Sequence, residues 1–424
     1  MNTFFRKLKI IWQDKALRKR ILVVLSLLVV FRLLAAIPIP GVDATRLAGF
    51  LQNNQFFGIL NLFSGGGLST LSLVMLGVGP YITASIIMQI LTMMVPSLKA
   101  MYHEEGEAGR KKFGQYSRIL AVPLAILQGF SLMLVLARQG ILTFNGPMDF
   151  ATNLLVVVAG SLFLMWLGEV MSEYGISNGL SMIIFAGIVA SLPQHIGQFA
   201  FTFTIAQLPQ ILIFAFLGLL LIFGVVLVTE AERPIPVTYA RQARGGVQTS
   251  GGVSTYIPLR VNQAGVIPII FALSILMIPQ LVGNVLSLSA NGTMQNIAQA
   301  LIGFTQSVWP YSIVYFILVV AFTYFYTAIT FDPKQMAENL QKSGAFIPGI
   351  RPGQSTEEYL GRVVTRITLV GALFLGLIAV IPLIVRATTG ITAIALGGTA
   401  MLIVVSVVLD LLKRIDAQIS MHEY

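Results

Sequence analysis

An all-α membrane protein that crosses the bilayer ten times is what this 424-residue sequence predicts. Three observations carry the prediction. Hydrophobic residues make up 56% of the chain and charged residues only 10%, where an average soluble chain is about 25% charged. Ten stretches approach the roughly 20 apolar residues a helix needs to cross the hydrocarbon. Lys and Arg fall almost wholly on one side of the topology those stretches define.

The stretches lie near residues 21–38, 74–95, 117–137, 153–172, 179–195, 208–230, 264–284, 311–330, 363–385 and 391–411. The first follows a basic segment, but it starts late, runs long and ends in "IPIPG" rather than a small-residue cleavage site. It is read as a retained span. Ten spans put both termini on one side. That side carries 23 of the 27 Lys and Arg residues, the other only Arg46, Arg138 and Arg386, and Arg32 lies within the first span. The positive-inside rule therefore assigns both termini to the cytoplasm. The net charge of +10 is a topology signal and does not call for nucleic acid.

The residue inventory narrows the chemistry. No cysteine is present, which excludes disulfides, a thiol nucleophile and thiolate metal ligands. His103, His195 and His422 are far apart in sequence, and His103 sits in the charged stretch "YHEEGEAGRKKFG". There is no phosphate-cradling glycine loop ending in Gly-Lys-Ser/Thr, and no Gly-x-Ser-x-Gly elbow. No catalytic centre, metal or cofactor is expected.

The two halves read alike. "GVGPYITA" from Gly77 and "GVIPIIFA" from Gly265 agree at Gly, Val, Pro, Ile and Ala, and "PIP" follows both the first span (38–40) and the sixth (234–236). Span two runs inward and span seven outward, so the match suggests an inverted repeat of five plus five helices. The expected division is an amphipathic cytoplasmic N-terminus over 1–20, a first half over 21–195, a second half over 208–411 and a cytoplasmic tail over 412–424.

Inverted repeats place the working site near the midplane. An ion-coupled secondary transporter, the alternative reading, needs polar or ionisable groups there. Glu169, Glu173, Glu230, Glu232 and Asp410 all fall at span ends, and Arg32 is the one charge clearly within a span. The matched motifs offer Val78, Ile82 and Ile270 instead. Branched aliphatics suit a hydrophobic constriction. One further stretch is unusual: "FFGILNLFSGGG", about 56–67, is apolar, too short to span, and ends in three glycines. It is either a mobile half-helix or a fixed re-entrant one.

Eight segments resemble the SecY family of protein-translocation channels: "FRLLAAIPIPGVD" (31–43), "LNLFSGGGLSTLSL" (60–73), "GPYITASIIMQILT" (79–92), "GISNGLSMIIFAGIVASLP" (175–193), "ERPIPVTYARQ" (232–242), "VNQAGVIPIIFA" (261–272), "FIPGIRPGQST" (346–356) and "GGTAMLIVV" (397–405). They occur in order over essentially the whole chain. The resemblance implies a channel that passes unfolded preproteins across a bacterial inner membrane and releases apolar segments into lipid. It assigns Phe57, Ile59, Leu60, Leu62, Phe63, Gly65 and Gly66 to a plug, and Val78, Ile82, Ile184, Ile188, Ile270 and Ile403 to an aliphatic pore ring.

The same resemblance implies a lateral gate between spans two and three on one side and seven and eight on the other. Thr83, Gln89 and Ser274 lie in those spans and bond either across the gate or to their own helices. Loops 231–263 and 331–362 resemble the docking site for the SecA motor ATPase or the ribosome and its RNA, with Arg351 as a family arginine and Arg241 and Arg244 in the other loop. Under the plainer reading these arginines only obey topology. "ARGGVQTSGGVST" is poorer in basic residues than the family pattern at that loop tip. The implied partners are SecE, SecG, SecA, the ribosome, signal peptides, preproteins and membrane lipids.

Overall fold

Two helices of the computed structural model begin in the same way, and the repeated motif dictates it. Gly77 and Gly265 take left-handed backbones (φ 61° and 62°), which their lack of a Cβ allows. Val78 and Val266 follow as N-caps with φ near −91°, and Pro80 and Pro268 stand in the first turn, where proline costs no hydrogen bond. These helices are α2 (Gly79–Met94) and α8 (Ile267–Leu286). Span two is therefore helical only from Gly79. Residues 74–78, expected to be its start, form turns because Gly77 breaks the helical path.

The structure describes residues 14–43, 46–47, 49–50, 60–61, 64–103, 105–202, 208–239, 254–287, 289, 291–389 and 392–422. The other helices are α1 (Lys15–Ala35), α3 (Pro96–His103), α4 (Gly106–Arg138), α5 (Pro147–Tyr174), α6 (Gly179–Thr202), α7 (Leu208–Glu230), α9 (Gly292–Gln306), α10 (Val308–Thr330), α11 (Pro333–Lys342), α12 (Gln354–Thr389) and α13 (Thr392–His422). Ten of these helices stand at the places of the ten expected spans. Among the described residues, five helices are by themselves long and apolar enough to cross a membrane, and a sixth span arises if the bent pair α2–α3 counts as one. The chain is a multi-pass membrane protein.

Local sequence sets the start of α1 and the break between α2 and α3. Asp14 caps α1 by accepting from the Ala16 amide at 2.8 Å. Its buried residues Leu17, Val24 and Phe31 recur every seven positions and form one face. Val95 precedes Pro96 and is extended, and the chain turns by 113° there. The first half joins the second through contacts of α2 and α4 with α8, and of α6 with α13. One large apolar cluster runs through all of these helices.

The segment between α1 and α2 is irregular from Ser64 to Val78, yet Ser64, Leu68, Leu71, Ser72, Val74 and Met75 are fully buried. Irregular backbone at membrane depth survives only when protein supplies its hydrogen bonds. Here Ile39 N donates to Leu71 O (2.9 Å), Leu73 N to Ile37 O (3.1 Å), and Ser161 Oγ to Gly77 O (2.8 Å).

One small sheet adds to the all-α reading. Loops 231–263 and 331–362 join in a small sheet of order β2-β1-β3, made by β1 (Glu232–Tyr239), β2 (Ser254–Arg260) and β3 (Ala345–Phe346). Val261 N bonds Ala231 O at 2.9 Å, so the odd-numbered residues of β1 pair with β2. Pro234 and Pro236 then face the opposite edge, beyond the reach of β3, which pairs only with Thr238 and Tyr239. Ile235, Val237 and Leu259 pack against Leu340, Ile347, Leu360 and Val363 in a second core. At that same end of the bundle, Leu17 of α1 and Ile419 of α13 are buried together with Ile176, so both ends of the described chain meet on one side.

Candidate functional site

The six aliphatic residues expected to form a ring are all buried, between 0% exposed for Val78 and 6% for Ile82, and all lie in the main apolar cluster. They come from four helices, or in the case of Val78 from the cap of α2. Ile82, Ile184 and Ile270 line one cavity of about 170 Å³ together with Gln89, Phe271 and Tyr326. Val78, Ile188 and Ile403 belong to the same cluster without lining that cavity.

Toward the sheet end, the cavity continues into a wider one of about 280 Å³. The two share Asn178, Ser181, Ile267 and Tyr326. The wider space is polar: Arg260, Asn262, Asp410, Lys413 and Arg414 line it. Asp410 accepts from Ser177 Oγ and from Arg414 Nε, each at 2.8 Å, and Lys413 Nζ stands 2.8 Å from Glu230 Oε1. Asn262 Oδ1 is buried and without a hydrogen-bond partner among the described residues. A cavity rich in charged and amide groups therefore adjoins a smaller one in which Ile82, Ile184 and Ile270 meet. A constriction of branched aliphatics resists water and ions.

Beside these aliphatics two backbones come into close contact. Gly187 lies on α6 between Ile184 and Ile188, and a Cβ placed on it would fall 2.0 Å from Gly65 Cα and 2.6 Å from Gly65 O. Gly65 is left-handed (φ 62°), and its own Cβ would meet the Phe31 ring at 2.4 Å. A glycine with no side chain leaves the backbone unusually free. Gly65 serves close approach as well. Leu60, helical and 5% exposed, reaches a small cavity walled by Gln128, Ser131, Leu281 and Asn284. Gly66 is left-handed as well (φ 86°). Phe57, Ile59, Leu62 and Phe63 lie outside the described residues.

Of the two alternatives for Thr83, Gln89 and Ser274, the structure shows the second. Thr83 Oγ1 donates to Gly79 O (3.0 Å), Ser274 Oγ to Ile270 O (2.9 Å) and Gln89 Nε2 to Ser85 Oγ (3.2 Å). Each bonds within its own helix; for Thr83 and Ser274 the reason is that a hydroxyl on a helix reaches the carbonyl one turn back more easily than a neighbouring helix. Between α4 and α8, Asn284 Nδ2 donates to Ser131 Oγ at 3.4 Å, and within α8 Gln280 Nε2 donates to Asn284 Oδ1 at 3.4 Å. Thr305 of α9 bonds Gln280 in turn. Farther out, Arg138 Nη1 donates to Ser287 Oγ at 3.0 Å. Gln280 and Asn284, two amides one turn apart in a largely apolar span, were the available signal.

Arg351 is exposed in the loop between β3 and α12. Left-handed Gly349 and Gly353 flank it, buried Ile347 anchors the loop, and Thr356 Oγ1 donates to the Arg351 carbonyl at 2.9 Å. Arg241 and Arg244 lie outside the described residues.

Comparison with known proteins places this architecture. The SecY family model matches residues 72–412. The protein translocase subunit SecY of Thermus thermophilus is 44% identical, over 98% of this chain and 97% of that protein. Among solved structures, "The structure of a protein conducting channel" superposes with a TM-score of 0.66 at 21% identity, covering 94% of this chain and 91% of the other. The Sec61 channel of "Sec61 in the Canine ribosome-channel complex from the endoplasmic reticulum" gives 0.61 at 20% identity, covering 94% and 91%. Matched by the family model over most of its length and 44% identical to a full-length relative, the chain belongs to the SecY family of protein translocase channels.

Proposed function

We propose that this chain is the channel subunit of a bacterial Sec translocase, which passes unfolded preproteins across the membrane and releases apolar segments sideways into lipid. One observation carries the reading: Ile82, Ile184 and Ile270, from both halves, converge where a polar vestibule ends, and Gly65 packs against Gly187 beside them. Flexible aliphatic side chains close around any sequence, which a carrier of diverse polypeptides requires. In this reading, residues 56–67 are the plug and the six aliphatics the ring. The gate opens where α2 and α4 meet α8 and α10.

The sheet end, with its excess of Lys and Arg, faces the cytoplasm of an inner membrane. Its loops, Arg351 among them, receive the SecA motor or a ribosome. SecE clamps the two inverted halves and SecG assists. The transporter alternative needs a charged coupling site, but Glu169, Glu230 and Asp410 fall at the ends of the expected apolar spans and are paired with Arg118 (2.7 Å), Lys413 and Arg414. The decisive experiment reconstitutes the chain with SecE and SecG in vesicles and adds SecA, ATP and a preprotein. Protease-protected preprotein supports the channel reading. Ion-coupled uptake of a small solute, with no protein import, refutes it.

A further inference from the structure

We propose that Arg32 is a positioning residue that latches the plug in its seat. The proposal rests on the plug reading above and deepens it. Arg32 stands in the last turn of α1, within the apolar first span, where a charge is costly and marks function. Its Nη1 donates to the carbonyl of Gly65 at 3.3 Å, and the Cβ position of Gly66 lies 3.7 Å from that nitrogen.

The Gly65 carbonyl is where such a latch has leverage. The residue before it along the contact, Phe31, fills the space in front of Gly65 Cα, and Gly187 of the ring helix backs it. Gly65 is thus held on three sides: by an aromatic ring, by a helix backbone and by a guanidinium. The first two are contacts of shape, and a small displacement forfeits them. The third is a charge-assisted bond, stronger than a neutral one. It exists only while the segment is seated. When the plug leaves, Arg32 is left in the water of the outer funnel at little cost, so the bond favours the seated state alone. A guanidinium at a helix C-terminus also complements the helix dipole, but that role is met by any cation and asks nothing of Gly65.

The test uses the absence of cysteine. Ser64 is fully buried at the base of the plug, so Ser64→Cys supplies a single thiol that is covered while the plug is seated. Its modification by a charged, membrane-impermeant maleimide added from the outer side reads plug departure in the full translocase complex. Arg32→Ala should raise the resting rate about tenfold, the loss expected for one hydrogen bond to a charged group. Arg32→Lys, which keeps a cationic donor, should stay within about threefold of the parent. A second thiol, Thr323→Cys, buried in α10 away from the plug, reports general loosening and should not change. An unchanged Ser64→Cys rate in Arg32→Ala overturns the latch, and so does equal acceleration at Thr323→Cys. An engaged preprotein separates this from the plug reading. If Ser64→Cys stays protected with cargo in the channel, the plug itself is misassigned. If cargo exposes it and Arg32→Ala does not, only the latch fails.

Discussion

Gly187→Ala tests the seat of the plug with one methyl group. The new Cβ would lie 2.0 Å from Gly65 Cα, 2.4 Å from its carbonyl carbon and 2.6 Å from its oxygen. Ordinary contact begins at 3.4 Å, so the two backbones must part by about 1.4 Å. Phe31 blocks retreat on the far side of Gly65, which makes relaxation in place difficult. Overpacking of this kind costs about 1–3 kcal/mol. Because the clash exists only while the plug is seated, that cost shifts the balance toward the unseated state by roughly 5- to 150-fold. The sign is specific, since alanine is the better helix former by about 1 kcal/mol and would by itself stabilise α6. Single-channel recording of the reconstituted complex, without SecA or ribosome, should show frequent spontaneous openings. If both Gly187→Ala and the bulkier Gly187→Val remain silent at rest while folding normally, the Gly65–Gly187 contact does not seal the pore.

Three further outcomes are expected. Ile403→Asn places an amide at a position 1% exposed, at a cost of about 1–3 kcal/mol in the closed neck and little in the open one; export of a reporter with a crippled signal sequence should rise, and no change there or in resting conductance would misplace Ile403. Arg351→Glu reverses the charge of an exposed loop residue and should abolish SecA- or ribosome-driven translocation with membrane insertion intact, as measured by protease-protected preprotein; normal translocation would leave Arg351 a topology signal only. Asn284→Ala removes the bond to Ser131, and at about 0.6 kcal/mol for an average interhelical bond should ease lateral release of weakly apolar segments by about threefold; an unchanged hydrophobicity threshold in a membrane-integration assay would deny that bond a role in gating.

Much of this protein is decided by residues acting on their neighbours in sequence. Apolar length places the spans, and the Lys and Arg asymmetry orients them, because bilayer thickness and loop charge act on each segment alone. Gly77-Val78-x-Pro80 and its partner at 265–268 share one backbone path, because a left-handed glycine and a first-turn proline impose it locally. The aliphatic character of the ring was legible for the same reason. Other features required the chain to fold. Ser131 and Asn284 are 153 residues apart, and only the packing of α4 on α8 makes them a pair, whereas Thr83 and Ser274 turn to their own helices. β1 finds part of its partner in β3, more than 100 residues away, so neither loop alone announces a sheet. The glycine at 65 reads in sequence as freedom, because a missing side chain has no visible target. Only the approach of Gly187 and Phe31 turns that absence into a contact, since close packing is a property of two surfaces and a sequence presents one at a time.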